Sequence, residues 1–151
     1  MHRTTRTCAA LVVLALSLLA CGSDAGTNPS PVANLTGVWT YSRNLSSAAA
    51  GASCIFTGSV TLAQSGTSFN GEGPATSVCT DALGNISTTS GTSPFVGGQV
   101  NGQQVTFSIG VCSATGTISG SPANRMSGSE SCPIASGGVT YIFTGPWQAS
   151  R

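Results

Sequence analysis

Lysine is absent from the 151 residues, and histidine occurs once, at His2. Without lysine there is no amine for a Schiff base or a Ser-Lys dyad. His2 lies at the extreme N-terminus, so the remaining chain has no imidazole for a Ser-His-Asp or Cys-His site or a His-bound metal. Charge is scarce as well: 6% of residues carry one, against about 25% in ordinary soluble domains. The five basic residues are Arg3, Arg6, Arg43, Arg125 and Arg151, and they form no run. No patch exists to neutralise phosphates, which argues against nucleic-acid binding. The cysteines contain no C-x₂-C pair, so a zinc site is a poor reading. The Gly97-Gly98 and Gly137-Gly138 pairs lack the spacing of a phosphate loop. Beyond the N-terminal region the carboxylates are Glu72, Asp81 and Glu130. A Glu72/Glu130 pair is the one candidate for glycosidase-type acid and base; two solvated strand residues are the simpler reading. The chain reads as a non-enzyme with no cofactor and no metal.

The N-terminus carries a different kind of information. His2, Arg3 and Arg6 precede an apolar run from Ala9 to Ala20, interrupted by Ser17. That run is too short for a membrane-spanning helix, which needs about 20 residues, and suits the core of a signal peptide. It ends Leu18-Leu19-Ala20-Cys21, which resembles the lipobox of bacterial lipoproteins. The resemblance implies cleavage before Cys21, lipidation of Cys21, and a location in the cell envelope, at the outer membrane if the envelope is Gram-negative. Residues 1–20 are then a signal peptide. Residues 21–34 are the lipidated cysteine and a tether rich in Gly, Ser, Pro and Asn, with a root-mean-square reach of roughly 20 Å. The mature chain keeps three arginines against Asp24 and the three domain carboxylates, a net charge of −1.

From Leu35 to Arg151 the sequence is a series of short alternating apolar and polar runs divided by Gly, Asn and Ser. This period of two predicts antiparallel strands, placed near 36–42, 55–63, 68–76, 85–90, 94–100, 103–110, 113–119, 125–131 and 138–148. Asn101-Gly102 is the strongest hairpin signal and sets Val96 opposite Phe107. A second turn at Gly66-Thr67 sets Gly71 and Gly73 opposite Leu62 and Val60. Ser68-Phe69-Asn70-Gly71 and Arg125-Met126-Ser127-Gly128 form a loose repeat, one hairpin template reused in a meander. The expected fold is all-β, a single antiparallel up-and-down barrel of about eight strands. Phe56, Val60, Leu62, Phe69, Val105, Phe107, Ile109, Tyr141 and Phe143 are its expected interior. With Cys8 lost and Cys21 lipidated, Cys54, Cys79, Cys112 and Cys132 remain, with three possible connectivities. Cys54 and Cys79 are equidistant from the Gly66-Thr67 turn, and Cys112 and Cys132 from Pro122. These registers favour the disulfides Cys54–Cys79 and Cys112–Cys132 over free thiols.

The domain opens with Gly37-Val38-Trp39 and ends at Arg151. A G-x-W on the first strand with an arginine at the last strand resembles the calycin pattern of lipocalins, fatty-acid-binding proteins and avidins. The resemblance implies that Gly37, Trp39 and Arg151 close the barrel and touch no ligand. The second lipocalin motif and the additional tryptophans of avidins are missing, so biotin is a poor ligand. Two functions follow as alternatives. In the first, a membrane-anchored, lipocalin-like barrel binds a small apolar or amphipathic ligand. In the second, an interaction module such as a hydrolase inhibitor meets an envelope protein through loops such as 44–53 and 120–125, or the chain is a surface or envelope structural protein with no discrete site. A ligand-sized cavity favours the first; a packed interior with exposed apolar residues favours the second.

Overall fold

The computed structural model describes residues 32–151. The expected signal peptide, Cys21 and the expected tether up to residue 31 lie outside the described residues. Eight strands follow in order: β1 (Gly37–Ser47), β2 (Ala52–Ser65), β3 (Ser68–Thr80), β4 (Ile86–Asn101), β5 (Gln104–Ile109), β6 (Cys112–Ser119), β7 (Arg125–Ser136) and β8 (Val139–Ser150). Each pairs antiparallel with the next, and β8 returns to β1, so the sheet closes into a barrel. Along β1 the side chains of Trp39, Tyr41, Arg43 and Leu45 are buried, while Val38, Thr40, Asn44 and Ser46 are exposed. The wall is thus apolar inside and mostly hydroxylated outside, the reverse of a lipid-facing barrel.

The turns at Gly66-Thr67 and around Pro122 have the expected registers, with Ser65 opposite Ser68 and Ile118 opposite Met126. The other hairpin differs. Asn101 pairs Gln104 around Gly102-Gln103, and a bulge between Val96 and Gln99 shifts the register again. Val96 therefore faces Ser108, not Phe107, and is exposed. The bulge contains Gly97 at φ 62° and Gly98. A Cβ on Gly98 would lie 2.5 Å from the Phe69 ring, so glycine lets that ring pack against the backbone. The segments expected at 85–90 and 94–100 are one continuous strand, β4. Thr92, Ser93 and Pro94 stay paired to β3, and Pro94 is tolerated because β4 has no partner on its other side at that level.

Eight strands leave room for a filled interior and little more. An aromatic cluster occupies the middle: Tyr41 edge-on to Phe95 at 5.1 Å, Phe95 stacked on Phe107 at 5.1 Å, and Phe107 edge-on to Trp147 at 4.9 Å. Val60, Leu62, Phe69, Val105, Phe107 and Ile109 lie in this core as expected. Phe56 and Phe143 do not; they pack, partly buried, on a separate small cluster of Leu45, Cys112 and Cys132. Tyr141 is only partly buried, further along the same hairpin. These residues lie toward the end of the barrel where the β5–β6 hairpin stops short and its neighbours continue.

Candidate functional site: the two ends of the barrel

One end is plugged. Leu35 is fully buried beneath Trp39, whose indole N–H donates to the Leu35 carbonyl at 2.7 Å. Gln64 ties the entering chain down: its Oε1 accepts from the Leu35 amide at 2.6 Å and its Nε2 donates to the Ala33 carbonyl at 2.9 Å. The Arg151 guanidinium lies 4.6 Å from the centre of the Trp39 ring. It donates to the carbonyls of Ala123 (2.9 Å), Thr36 (2.7 Å) and Asn34 (2.8 Å). Gly37 adopts φ 131°, and an added Cβ would touch Arg151 Nη1 at 3.5 Å. Glycine therefore suits both the backbone and the cation beside it. The 120–125 region, expected from sequence as a docking loop, lies at this plugged end; Ala123 is buried there and the residues around it are exposed.

Above the aromatic core an ion pair crosses the interior. Arg43 Nη1 donates to Glu130 Oε1 at 2.5 Å, and both side chains are essentially without solvent contact. The guanidinium also sits 4.0 Å from the Phe56 ring centre. Arg43 Nε, Glu130 Oε2 and the Tyr41 hydroxyl have no hydrogen-bond partner among the described residues. Burial pushes the Glu130 carboxyl above its ordinary range, and the charge of Arg43 works against that shift. Glu72 is on the outward phase of β3 and exposed, whereas Glu130 points inward. The two carboxylates face opposite sides of the wall, so the expected acid–base pair does not assemble. Sequence reasoning missed the ion pair, although the signal existed: Arg43 shares its phase with Trp39 and Tyr41, and Glu130 with Met126 and Cys132.

The other end is open. The β5–β6 hairpin stops at Ile109 and Cys112, while β3–β4 and β7–β8 continue past it. β1 runs to Ser47 and β2 begins at Ala52, so the expected loop at 44–53 is mostly strand. Cys54 and Cys79 face each other on β2 and β3 with sulfurs 2.08 Å apart; Cys112 and Cys132 do so on β6 and β7 at 2.09 Å. At this end an apolar cup of about 200 Å³ is lined by Leu45 of β1, Cys54 and Phe56 of β2, and Cys112, Cys132, Ile134 and Phe143 of β6 to β8. The free space among the core side chains of the barrel proper measures about 10 Å³, room for about one water. Around the open end, Leu83, Ile86, Val111, Val139 and Ile142 are exposed, Leu83 by 87%. Cys112, Glu130 and Cys132 also bring three potential metal-ligating atoms together, but the two sulfurs are bonded to each other. Comparison with protein-family models, curated proteins and solved structures returns no match.

Proposed function

We propose that this protein is a non-catalytic interaction module, anchored to the envelope membrane through lipid on Cys21, that receives another envelope protein at the open end of its barrel. The observation that carries the reading is the collection of exposed apolar side chains around that end, from Leu83 and Ile86 on one hairpin to Val139 and Ile142 on the other. Exposed apolar patches on small domains mark sites of association. The calycin-like motif residues Gly37, Trp39 and Arg151 occupy the plugged end, where they hold the fold. Both the entering chain and the C-terminus lie at that end, so a tether running from it leaves the open end free to turn away from the membrane.

The lipocalin-like alternative asks the interior to hold a small apolar ligand. A cavity of about 10 Å³ is far below the roughly 300–1,000 Å³ of ordinary ligand pockets. The cup, at about 200 Å³, supports a narrower version, in which the end of one apolar chain enters from the mouth. Photo-crosslinking in the native host separates the readings. A benzophenone amino acid at Leu83 or Val139 of the full-length chain should give protein adducts of discrete mass, and one at Gln103, by the plugged end, should not. Equal adducts from all three positions, or none from the mouth, would remove the proposal.

A further inference from the structure

The mouth is notched as well as apolar. From Ile86 to Pro94, β4 is hydrogen-bonded to β3 on one side and has no strand on the other among the described residues, because its pairing with β5 begins at Phe95. Across the mouth, β7 from Cys132 to Ser136 pairs with β8, while its pairing with β6 ends at Ser131. The two free edges are those that β5 and β6 would occupy if they were longer. Two missing strands leave three inter-strand steps, a gap of about 14 Å. Every second residue along each free edge directs a backbone N–H and C=O into that gap. Folded proteins normally protect such an edge with charge, proline, a bulge or a covering loop. Ile86-Ser87-Thr88-Thr89-Ser90-Gly91-Thr92-Ser93 has none of these before Pro94.

We infer that the notch is a strand-addition site: an extended, uncharged segment of the partner polypeptide pairs with the free edge of β4 and places an apolar side chain in the cup. This deepens, and rests on, the reading of the open end as a docking end. Three features specify the occupant. Unpaired backbone groups in a row are matched in register only by another extended backbone. An added strand continues the barrel wall, so its alternate side chains point inward, over Leu45, Phe56 and Phe143. Neither Ile86–Asn101 nor Cys132–Pro146 contains a charged residue, so the walls select for backbone and apolar shape and not for charge. A second copy of this chain is the poorer occupant, since its own β4 brings β3 and β2 beside it, and a gap two strands wide admits a strand or a hairpin.

The test uses the full chain and a defined probe, an acetylated and amidated heptapeptide that alternates threonine with valine and has phenylalanine at its centre. Hydrogen exchange resolved to single residues should slow by about tenfold or more at every second amide between Ile86 and Ser93, with no change in β1 or β5. Two further peptides carry N-methyl groups on alternate amides, in opposite phases. One phase should bind at least about tenfold more weakly, having lost its hydrogen bonds to β4, and the other should bind as the parent does. Equal loss in both phases, or protection of cup residues without β4, overturns strand addition while leaving an apolar docking end intact. Protection of β4 without peptide, rising with protein concentration, replaces the foreign strand with a second copy. Failure of the photo-crosslinking described above removes the docking end itself, so the two failures are distinguishable.

Discussion

Arg43 and Glu130 are the residues whose chemistry is least ordinary for a small β-barrel. Each is buried, and each leaves one polar atom unmatched. Removing either partner strands a charge in the interior, which costs about 3–5 kcal/mol. Arg43→Met and Glu130→Gln should each lose about that much in urea denaturation. The double variant Arg43→Met/Glu130→Leu should recover most of it and fall near or above the parent, because both desolvation costs vanish together. The pH dependence has an unusual sign. Burial raises the folded pKa of Glu130 above its unfolded value of 4.5, so the native state holds more protons than the unfolded state between the two. Stability from this group is complete below the unfolded value and declines as pH rises through the folded one. Urea midpoints measured across that window should fall with pH more steeply in the parent than in Glu130→Gln. Asp81 runs the other way. Hydrogen bonds, first from the Asn85 side chain, hold its carboxyl below 3.8, so its contribution is lost as pH falls through that lowered value.

The strands are stapled at the open end. Cys54–Cys79 joins β2 to β3 and Cys112–Cys132 joins β6 to β7, each near the mouth and each closing a loop of 25 or 20 residues. Replacing either pair by alanine should cost roughly 2–4 kcal/mol, through the larger freedom of the unfolded chain. Non-reducing peptide mapping should recover these two links and no Cys79–Cys112 peptide. Close approach of strands sets a second constraint. A Cβ on Gly116 would fall 2.5 Å from Trp147 Cζ2, because the indole N–H reaches across to the carbonyls of Thr115 and Ser129 at 3.1 Å. Gly116→Ala should cost about 1–3 kcal/mol by overpacking, visible as a lowered Tm with an unchanged far-UV spectrum.

For the whole molecule the decisive property is closure. Trp39 stands near one end of the chain's fold and Arg151 at the other, and they meet because β8 pairs with β1. A double-mutant cycle with Trp39→Phe and Arg151→Gln should give a coupling of about 0.5–2 kcal/mol, and a coupling of zero would deny the contact in solution. At the same scale, alkyne fatty-acid labelling of the host should mark the parent chain and not Cys21→Ala. Cys21→Ala should leave the barrel folded, since all eight strands of the closed wall lie within the described residues 32–151.

Much of the architecture was legible because strand structure is periodic and local. Alternation names the inward phase of each strand, and a tight turn fixes which residues oppose one another. That is why the meander, both cysteine pairings and the Phe69, Val105 and Phe107 core could be read from spacing alone. The Val96 register was not legible for two reasons: the turn falls one residue later than Asn101-Gly102, around Gly102-Gln103, and the bulge at Gly97-Gly98 then shifts the count by one. The open end was hidden for a deeper reason. Its free edges arise from unequal strand lengths around a closed ring: β5 with 6 residues stands beside β4 with 16. Hydrophobic period reports which face of a strand is buried, but not whether a neighbour continues alongside it. The Arg43–Glu130 pair depends on the same ring, since those residues lie on β1 and β7, joined only by way of β8. Local propensity and pattern decided the strands and their phases. Closure of the barrel decided which end is filled, which end stays open, and which charges meet inside.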